Sequence, residues 1–94
     1  MKVRFTVTAF AELSEIRDYI AKDNPTAAKA VMLRVEQVIA RIAQYPLMAR
    51  AIDESGVRVF PVGPFPYLVF YVVEGDEVII RNVRHGRRRR PSEG

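Results

Sequence analysis

The sequence contains no cysteine and no tryptophan, and its only histidine is His85. A chain without cysteine has no disulfide framework and no thiolate metal site, a composition that suits a reducing cytoplasm. A single histidine also argues against a zinc site. No apolar run approaches the roughly 20 residues of a membrane span, and residues 1–10 do not have the pattern of a signal peptide. These absences predict a cytoplasmic protein that uses no metal and no cofactor.

The positive charge of the chain is concentrated near its C-terminal end. Residues 1–80 carry 9 Lys and Arg against 10 Asp and Glu, whereas residues 81–94 carry 6 arginines and one glutamate. A basic segment of this kind favours a local anionic contact or an acidic partner over a broad nucleic-acid surface. The length of 94 residues predicts a single domain, 1–94, in which 87–94 form a basic tail.

The first part of the chain predicts a strand followed by a helix. Residues 2–8 alternate apolar and polar side chains, as a half-buried strand does. Thr8 is then the predicted N-cap of a helix whose apolar residues recur at spacings of three and four. On that helix Glu12, Glu15 and Asp18 are expected to face water.

A second helix and three strands follow. Asn24 before Pro25 is a strong start signal, and the apolar periodicity runs to about Gln44. Because the link to the first helix is short, the two should form an antiparallel hairpin. The three predicted strands are residues 57–63, 67–73 and 77–85.

Local features of these strands refine the prediction. Pro61 favours an edge position for the first strand. The second strand is apolar throughout, which is typical of a central strand. Gly75 and Asp76 predict a two-residue type II′ hairpin turn between the last two strands. The order β-α-α-β-β-β indicates an α+β fold in which a helical hairpin packs on one face of a mainly antiparallel sheet.

The last strand carries the candidate site. Strict alternation places one set of side chains on one face and a second set on the other. The first set is Ile79, Arg81, Val83 and His85, and the second is Val78, Ile80, Asn82 and Arg84. Both sets begin apolar and end polar, so either face can be the buried one.

Two interpretations of the basic residues remain open. Guanidinium groups bind phosphate and carboxylate bidentately, which makes them candidates for contact with a target or partner. The candidates are Arg58, Arg81, Arg84, His85, Arg87 and Arg88. Alternatively, the strand arginines are ordinary solvated residues and the arginine run is a frayed tail.

Three stretches resemble a known family: AELSEIRDYIAKDNPTAA, then IARIAQYP, then VRVFPVGPFPYLVFYVVEGDEVIIRNVRHGRR. Their order and spacing over residues 1–88 resemble the ParE/RelE superfamily of type II toxin–antitoxin toxins, and the ParE branch more closely. The resemblance implies a toxin held in a hetero-oligomeric complex by a cognate ParD-like antitoxin with an acidic tail. It also implies a role in plasmid stabilization.

Toxins of this superfamily act on two different targets. ParE-type toxins inhibit DNA gyrase, whereas RelE-type toxins cleave mRNA on the ribosome, usually with a C-terminal Tyr or His-Tyr. Here Gly86 follows His85, and no tyrosine occurs after Tyr71. A nuclease would have to use Arg58, Arg81 and His85, and it has no convincing second group for proton transfer unless Glu54, in the loop before the strands, reaches the site.

This shortfall favours a gyrase inhibitor that is not an enzyme. A RelE-like ribosome-dependent mRNA endoribonuclease is the alternative. A degenerate toxin that only binds its partner is a third possibility.

Overall fold

The computed structural model describes residues 1–86 and has the predicted order of elements. The residues 87–94, with the predicted basic tail and the candidates Arg87 and Arg88, lie outside the described part. The elements are β1 (Lys2–Phe5), α1 (Val7–Ala21), α2 (Pro25–Gln44), β2 (Arg58–Pro61), β3 (Tyr67–Glu74) and β4 (Glu77–His85). The α+β class is therefore confirmed.

The four strands form one mixed sheet in the order β1-β4-β3-β2. β1 runs parallel to β4, and the other two pairs are antiparallel. β2, which contains Pro61, is an edge strand as predicted. Gly75 has φ +59° and Asp76 has no positive φ, as the predicted type II′ turn requires.

The helices pack on one face of this sheet. α2 contributes an apolar stripe that includes Val35 and Ile42, and the strands contribute Val69, Tyr71 and Ile80. All five side chains are at most 1% exposed. Burying a large aliphatic side chain is worth about 1.5–3 kcal/mol, so this layer contributes substantially to holding the strands in place.

The start of α1 differs from the prediction. β1 ends at Phe5, and Thr6 is the N-cap, its Oγ1 accepting the N–H of Ala9 at 3.0 Å. The predicted cap Thr8 is an exposed residue of the first turn. The alternation continues to Thr8, but the chain leaves the strand once Thr6 offers the helix a hydroxyl acceptor. The predicted cap of α2 is confirmed, since Asn24 Oδ1 accepts the N–H of Ala27 at 3.0 Å.

Candidate functional site

The arginine-bearing end of β4 begins at a β-bulge. The register pairs Tyr71 with Ile80 and Phe70 with Asn82, which leaves Arg81 as an extra residue without a partner on β3. An extra residue shifts the inward and outward alternation by one position and re-aims the side chains that follow.

This bulge makes the predicted division of β4 into two alternating faces wrong. Val78, Ile80 and Val83 all belong to the core beneath the helices, while Ile79 lies outside that cluster. Strict alternation had placed Val83 with Ile79. Nothing in the residue types around Arg81 marks the insertion, because a bulge of this kind does not require glycine.

The outer edge of β4 changes partner at the same point. β1 pairs with β4 only as far as Phe5 and Ile80. Beyond this last pair, Thr6 takes over. Its N–H donates to the Ile80 carbonyl at 3.0 Å, and its hydroxyl donates to the Arg81 carbonyl at 3.1 Å. The N-cap of α1 therefore continues the bonding of the strand that has just ended.

Glu12 occupies the next position along this edge. Its Oε1 accepts two hydrogen bonds, one from the N–H of Val83 at 3.0 Å and one from Nδ2 of Asn82 at 3.2 Å. Its Oε2 accepts a hydrogen bond from Nε of Arg84 at 3.2 Å. The Glu12 side chain is 24% exposed. The prediction that Glu12 faces water with its neighbours is therefore wrong. Its spacing relative to the apolar stripe gave no sign of this role, which depends on where β1 ends.

Arg81 and Arg84 are the two candidates that lie together on β4. Arg81 is exposed, and it makes no side-chain hydrogen bond or ion pair with another residue in the range 1–86. Arg84 pairs with Glu12, yet its side chain remains 47% exposed. Both guanidinium groups are therefore accessible to an anionic partner.

His85 ends β4 opposite Tyr67. The two rings meet edge to face, with centroids 5.4 Å apart and planes at 83°. The imidazole is therefore partly buried against the aromatic end of β3.

Arg58 lies elsewhere, on the edge strand β2. Its Nη1 donates to the carbonyls of Ala49 at 2.6 Å and Leu47 at 3.5 Å. Its register partner is Tyr71, whose hydroxyl donates to the Pro46 carbonyl at 2.8 Å. Arg58 and Tyr71 together hold the loop between α2 and β2.

Tyr71 experiences two opposing electrostatic effects. Its side chain is fully buried, and burial raises the pKa of its phenol, while the neighbouring Arg58 charge lowers it less strongly. A buried neutral phenol that donates to a backbone carbonyl is a structural group. The sequence suggested only a core strand at this position, and the hydrogen bond from the hydroxyl was missed.

The loop acids Asp53 and Glu54 behave as turn residues. Asp53 Oδ1 accepts the N–H of Ser55 at 2.8 Å and the Ser55 hydroxyl at 2.5 Å. These hydrogen bonds lower the pKa of the Asp53 carboxyl. Glu54 is exposed on the same loop.

The structure therefore separates the predicted site residues into two groups. Arg81, Arg84 and His85 lie within five residues of one strand, whereas Arg58 lies two strands away across β3. Neighbouring strands are about 4.8 Å apart, so the backbone of Arg58 is about 10 Å from β4. Within residues 1–86 no three acidic or histidine side chains are placed to hold a metal ion. In the same range, neither helix has the length and apolar character needed to cross a bilayer.

Comparison with known proteins identifies the family. A family model for the ParE toxin of type II toxin–antitoxin systems matches residues 3–90. The predicted toxin Y4kP of Sinorhizobium fredii is 32% identical over 90 residues, which span 96% of this chain and 93% of that protein. Toxin RelE2 of Caulobacter vibrioides is 36% identical over 87 residues, which span 93% of this chain and 97% of that protein.

Two solved structures share the fold. A chain of the chromosomal ParDE toxin–antitoxin system of P. aeruginosa superposes with a TM-score of 0.79 at 23% identity, covering 90% of this chain and 95% of that one. The YoeB/ParE toxin of Agrobacterium tumefaciens gives a TM-score of 0.67 at 11% identity, covering 90% and 98%. The chain therefore belongs to the ParE toxin family and is the toxin of a type II toxin–antitoxin system within the ParE/RelE superfamily.

Proposed function

We propose that this toxin inhibits DNA gyrase by binding it, without cleaving RNA. The observation that carries the proposal is the position of Arg58, which a nuclease would need together with Arg81 and His85. Arg58 is committed to the carbonyls of the loop before β2. Arg58 pairs with Tyr71 of β3, and His85 pairs with Tyr67 of the same strand. Tyr71 and Tyr67 are four residues apart, so Arg58 and His85 are offset by about 13 Å along the strands.

To take part in in-line attack on a phosphodiester beside Arg81 or His85, the Arg58 guanidinium would have to leave the Leu47 and Ala49 carbonyls. That reaction needs a general base, a general acid and charge-stabilising groups within hydrogen-bond reach of the reacting atoms. Arg81 and Arg84 can bind an anionic surface as they stand. We therefore assign them to target or antitoxin binding, with His85 beside them on the same strand.

The test is a supercoiling assay with purified gyrase and purified toxin. The wild-type protein should abolish supercoiling or accumulate cleavage complexes, and Arg81→Gln should weaken the effect about tenfold, as the loss of one charged contact does. Arg17→Gln is the matched control, because Arg17 is an exposed arginine of α1 that pairs with Asp18. Growth arrest with unchanged supercoiling would refute the gyrase target.

The ribosome is the alternative target, and the similarity to a protein named Toxin RelE2 favours including it. An mRNA endoribonuclease would stop translation first and produce cuts in ribosome-bound message. Those cuts would disappear in His85→Gln if His85 transfers a proton. Following DNA replication and translation separately after induction distinguishes the two targets, and induction that leaves growth unaffected would indicate a degenerate toxin.

The partner of a type II toxin is an antitoxin, and we propose a ParD-like protein whose acidic tail contacts Arg81 and Arg84. The accessible guanidinium groups on β4 support this assignment. The Kd of the hetero-oligomeric complex should then rise with salt concentration, because screening weakens exposed charge pairs. A Kd independent of salt would indicate an apolar interface. Gyrase and ribosomes are cytoplasmic, so we place the toxin in the cytoplasm.

A further inference from the structure

The Glu12 carboxylate connects α1 to the C-terminal half of β4. It accepts hydrogen bonds from the Val83 backbone, the Asn82 amide and the Arg84 guanidinium, all between 3.0 and 3.2 Å. Both carboxylate oxygens are used. Glu12 thus contacts every residue from Asn82 to Arg84, the segment that directly follows the bulge at Arg81.

The geometry explains why a carboxylate is needed there. β1 ends beside Ile80, so the outer edge of β4 has no strand beyond that point. A half-buried N–H without an acceptor costs free energy comparable to a lost hydrogen bond. Glu12 supplies the acceptor that a longer β1 would have supplied, and its charge strengthens the bonds.

This contact also restricts the two candidate binding residues. A β-bulge bends its strand and re-aims the side chain at the inserted position, so the direction of Arg81 depends on how the backbone on both sides of it is held. Glu12 holds the backbone on the C-terminal side of the bulge, while the Thr6 hydroxyl holds the Arg81 carbonyl. At the same time Glu12 fixes the Nε side of Arg84 and leaves the rest of that guanidinium accessible.

We propose that Glu12 is a positioning residue that preorganises Arg81 and Arg84 for binding to the cellular target that the toxin acts on. The inference rests on the proposed role of these arginines in target binding, and it does not depend on whether that target is gyrase. A preorganised pair binds more tightly because less side-chain freedom is lost on association. The opposite expectation is that Glu12 only neutralises positive charge, in which case removing its charge would strengthen binding.

The test is Glu12→Gln in the full chain. The amide oxygen can still accept the N–H of Val83, but the variant loses the charged bond to Arg84. Growth-arrest potency, measured as toxin level at half-maximal arrest, should fall about fivefold, a typical coupling for residues in direct contact. Glu15→Gln is the control, because Glu15 is an exposed glutamate three residues away on α1.

Two further readouts separate positioning from a general loss of structure. The NMR signal of the Arg84 Nε–H should move in Glu12→Gln and stay in place in Glu15→Gln, with the circular dichroism of both unchanged. In an Arg84→Gln background, adding Glu12→Gln should lower potency by less than it does in the wild type. Independent, additive losses would overturn the proposal, as would potency that is unchanged or raised in Glu12→Gln.

A second variant keeps the proposal testable if Glu12→Gln folds poorly. Arg84→Lys keeps the positive charge but replaces the planar donor that Glu12 orients, so potency should fall about threefold, the scale of one contact-pair coupling. Full potency of Arg84→Lys would refute positioning. Growth arrest and NMR report on the toxin whatever its target is. If only the supercoiling assay with purified gyrase fails, the gyrase target is wrong and the positioning role of Glu12 still stands.

Discussion

The two halves of β4 are held by different forces. From Glu77 to Ile80 the strand lies between β1 and β3 and is bonded on both edges by backbone. From Asn82 to His85 the strand pairs only with β3, and from Arg81 onward the other edge is bonded by side chains of the α1 region, Thr6 and Glu12. The same strand therefore begins as a core element and ends as a surface that presents arginines.

The difference between the two halves explains how β4 can expose charged side chains and still be held in place. The first half buries Val78 and Ile80 completely, which contributes several kcal/mol through apolar burial. The second half buries only Val83 to that degree, and its polar bonds are each worth about 0.5–1.5 kcal/mol. Substitutions in the first half should thus affect stability, and those in the second half mainly binding.

The largest expected effect is that of Ile80→Ala. Ile80 is fully buried at the last β1–β4 pair, and truncating such a side chain should lower the free energy of unfolding by about 3 kcal/mol. Chemical denaturation measures it. Arg81→Ala at the next position should change stability by less than about 0.5 kcal/mol. Equal losses at the two positions would mean that the halves do not differ.

Thr6→Ala tests the support that the start of α1 gives to the second half of β4. The variant loses the N-cap bond to Ala9 and the donor to the Arg81 carbonyl, so the free energy of unfolding should fall by about 1.5 kcal/mol. Thr8, two residues later, is exposed, so Thr8→Ala should change the free energy of unfolding by less than about 0.5 kcal/mol. If both variants behave alike, the cap assignment is wrong.

Tyr71→Phe tests the point where the halves meet, because Tyr71 pairs with Ile80 just before the bulge. The variant loses the hydroxyl bond to the Pro46 carbonyl and should be less stable by about 1 kcal/mol at neutral pH. Thermal unfolding checks the loss. An unchanged midpoint would show that the loop between α2 and β2 does not depend on this hydroxyl.

The same variant should change how stability depends on alkaline pH. Burial raises the pKa of Tyr71, so the folded state holds this proton more tightly than the unfolded state. The stabilisation is complete below the ordinary tyrosine pKa and is lost as the pH rises through the raised value. The wild type should therefore lose stability faster than Tyr71→Phe above about pH 10. Parallel pH profiles would contradict this assignment.

The elements of the fold could be predicted because each depends on local chemistry. Asn24 and Pro25 define the start of α2, and the Gly75–Asp76 turn sets the register of β3 and β4. The start of α1 could not be located, because Thr6 and Thr8 are both suitable caps and the choice depends on the β4 carbonyls that Thr6 contacts.

The part of the candidate site that depends on local sequence was also predictable. Arg81, Arg84 and His85 are close in sequence, so a strand was sufficient to bring them together. Arg58 could not be separated from them, because its position depends on the strand order and on carbonyls of a distant loop. Glu12 was missed because its three donors lie about 70 residues away along the chain.

The smallest expected effect is that of Arg4→Gln, which removes an ion pair from the first half of β4. Arg4 Nε lies 3.4 Å from Glu77 Oε1, and the side chains are 56% and 34% exposed. An exposed pair of this kind is worth little because water and salt screen it, so the free energy of unfolding should change by less than about 0.5 kcal/mol. Urea denaturation at low and high salt measures it. A loss above about 1 kcal/mol would mean that charge as well as backbone pairing holds β1 on β4, and the two halves would then differ less than their contacts indicate.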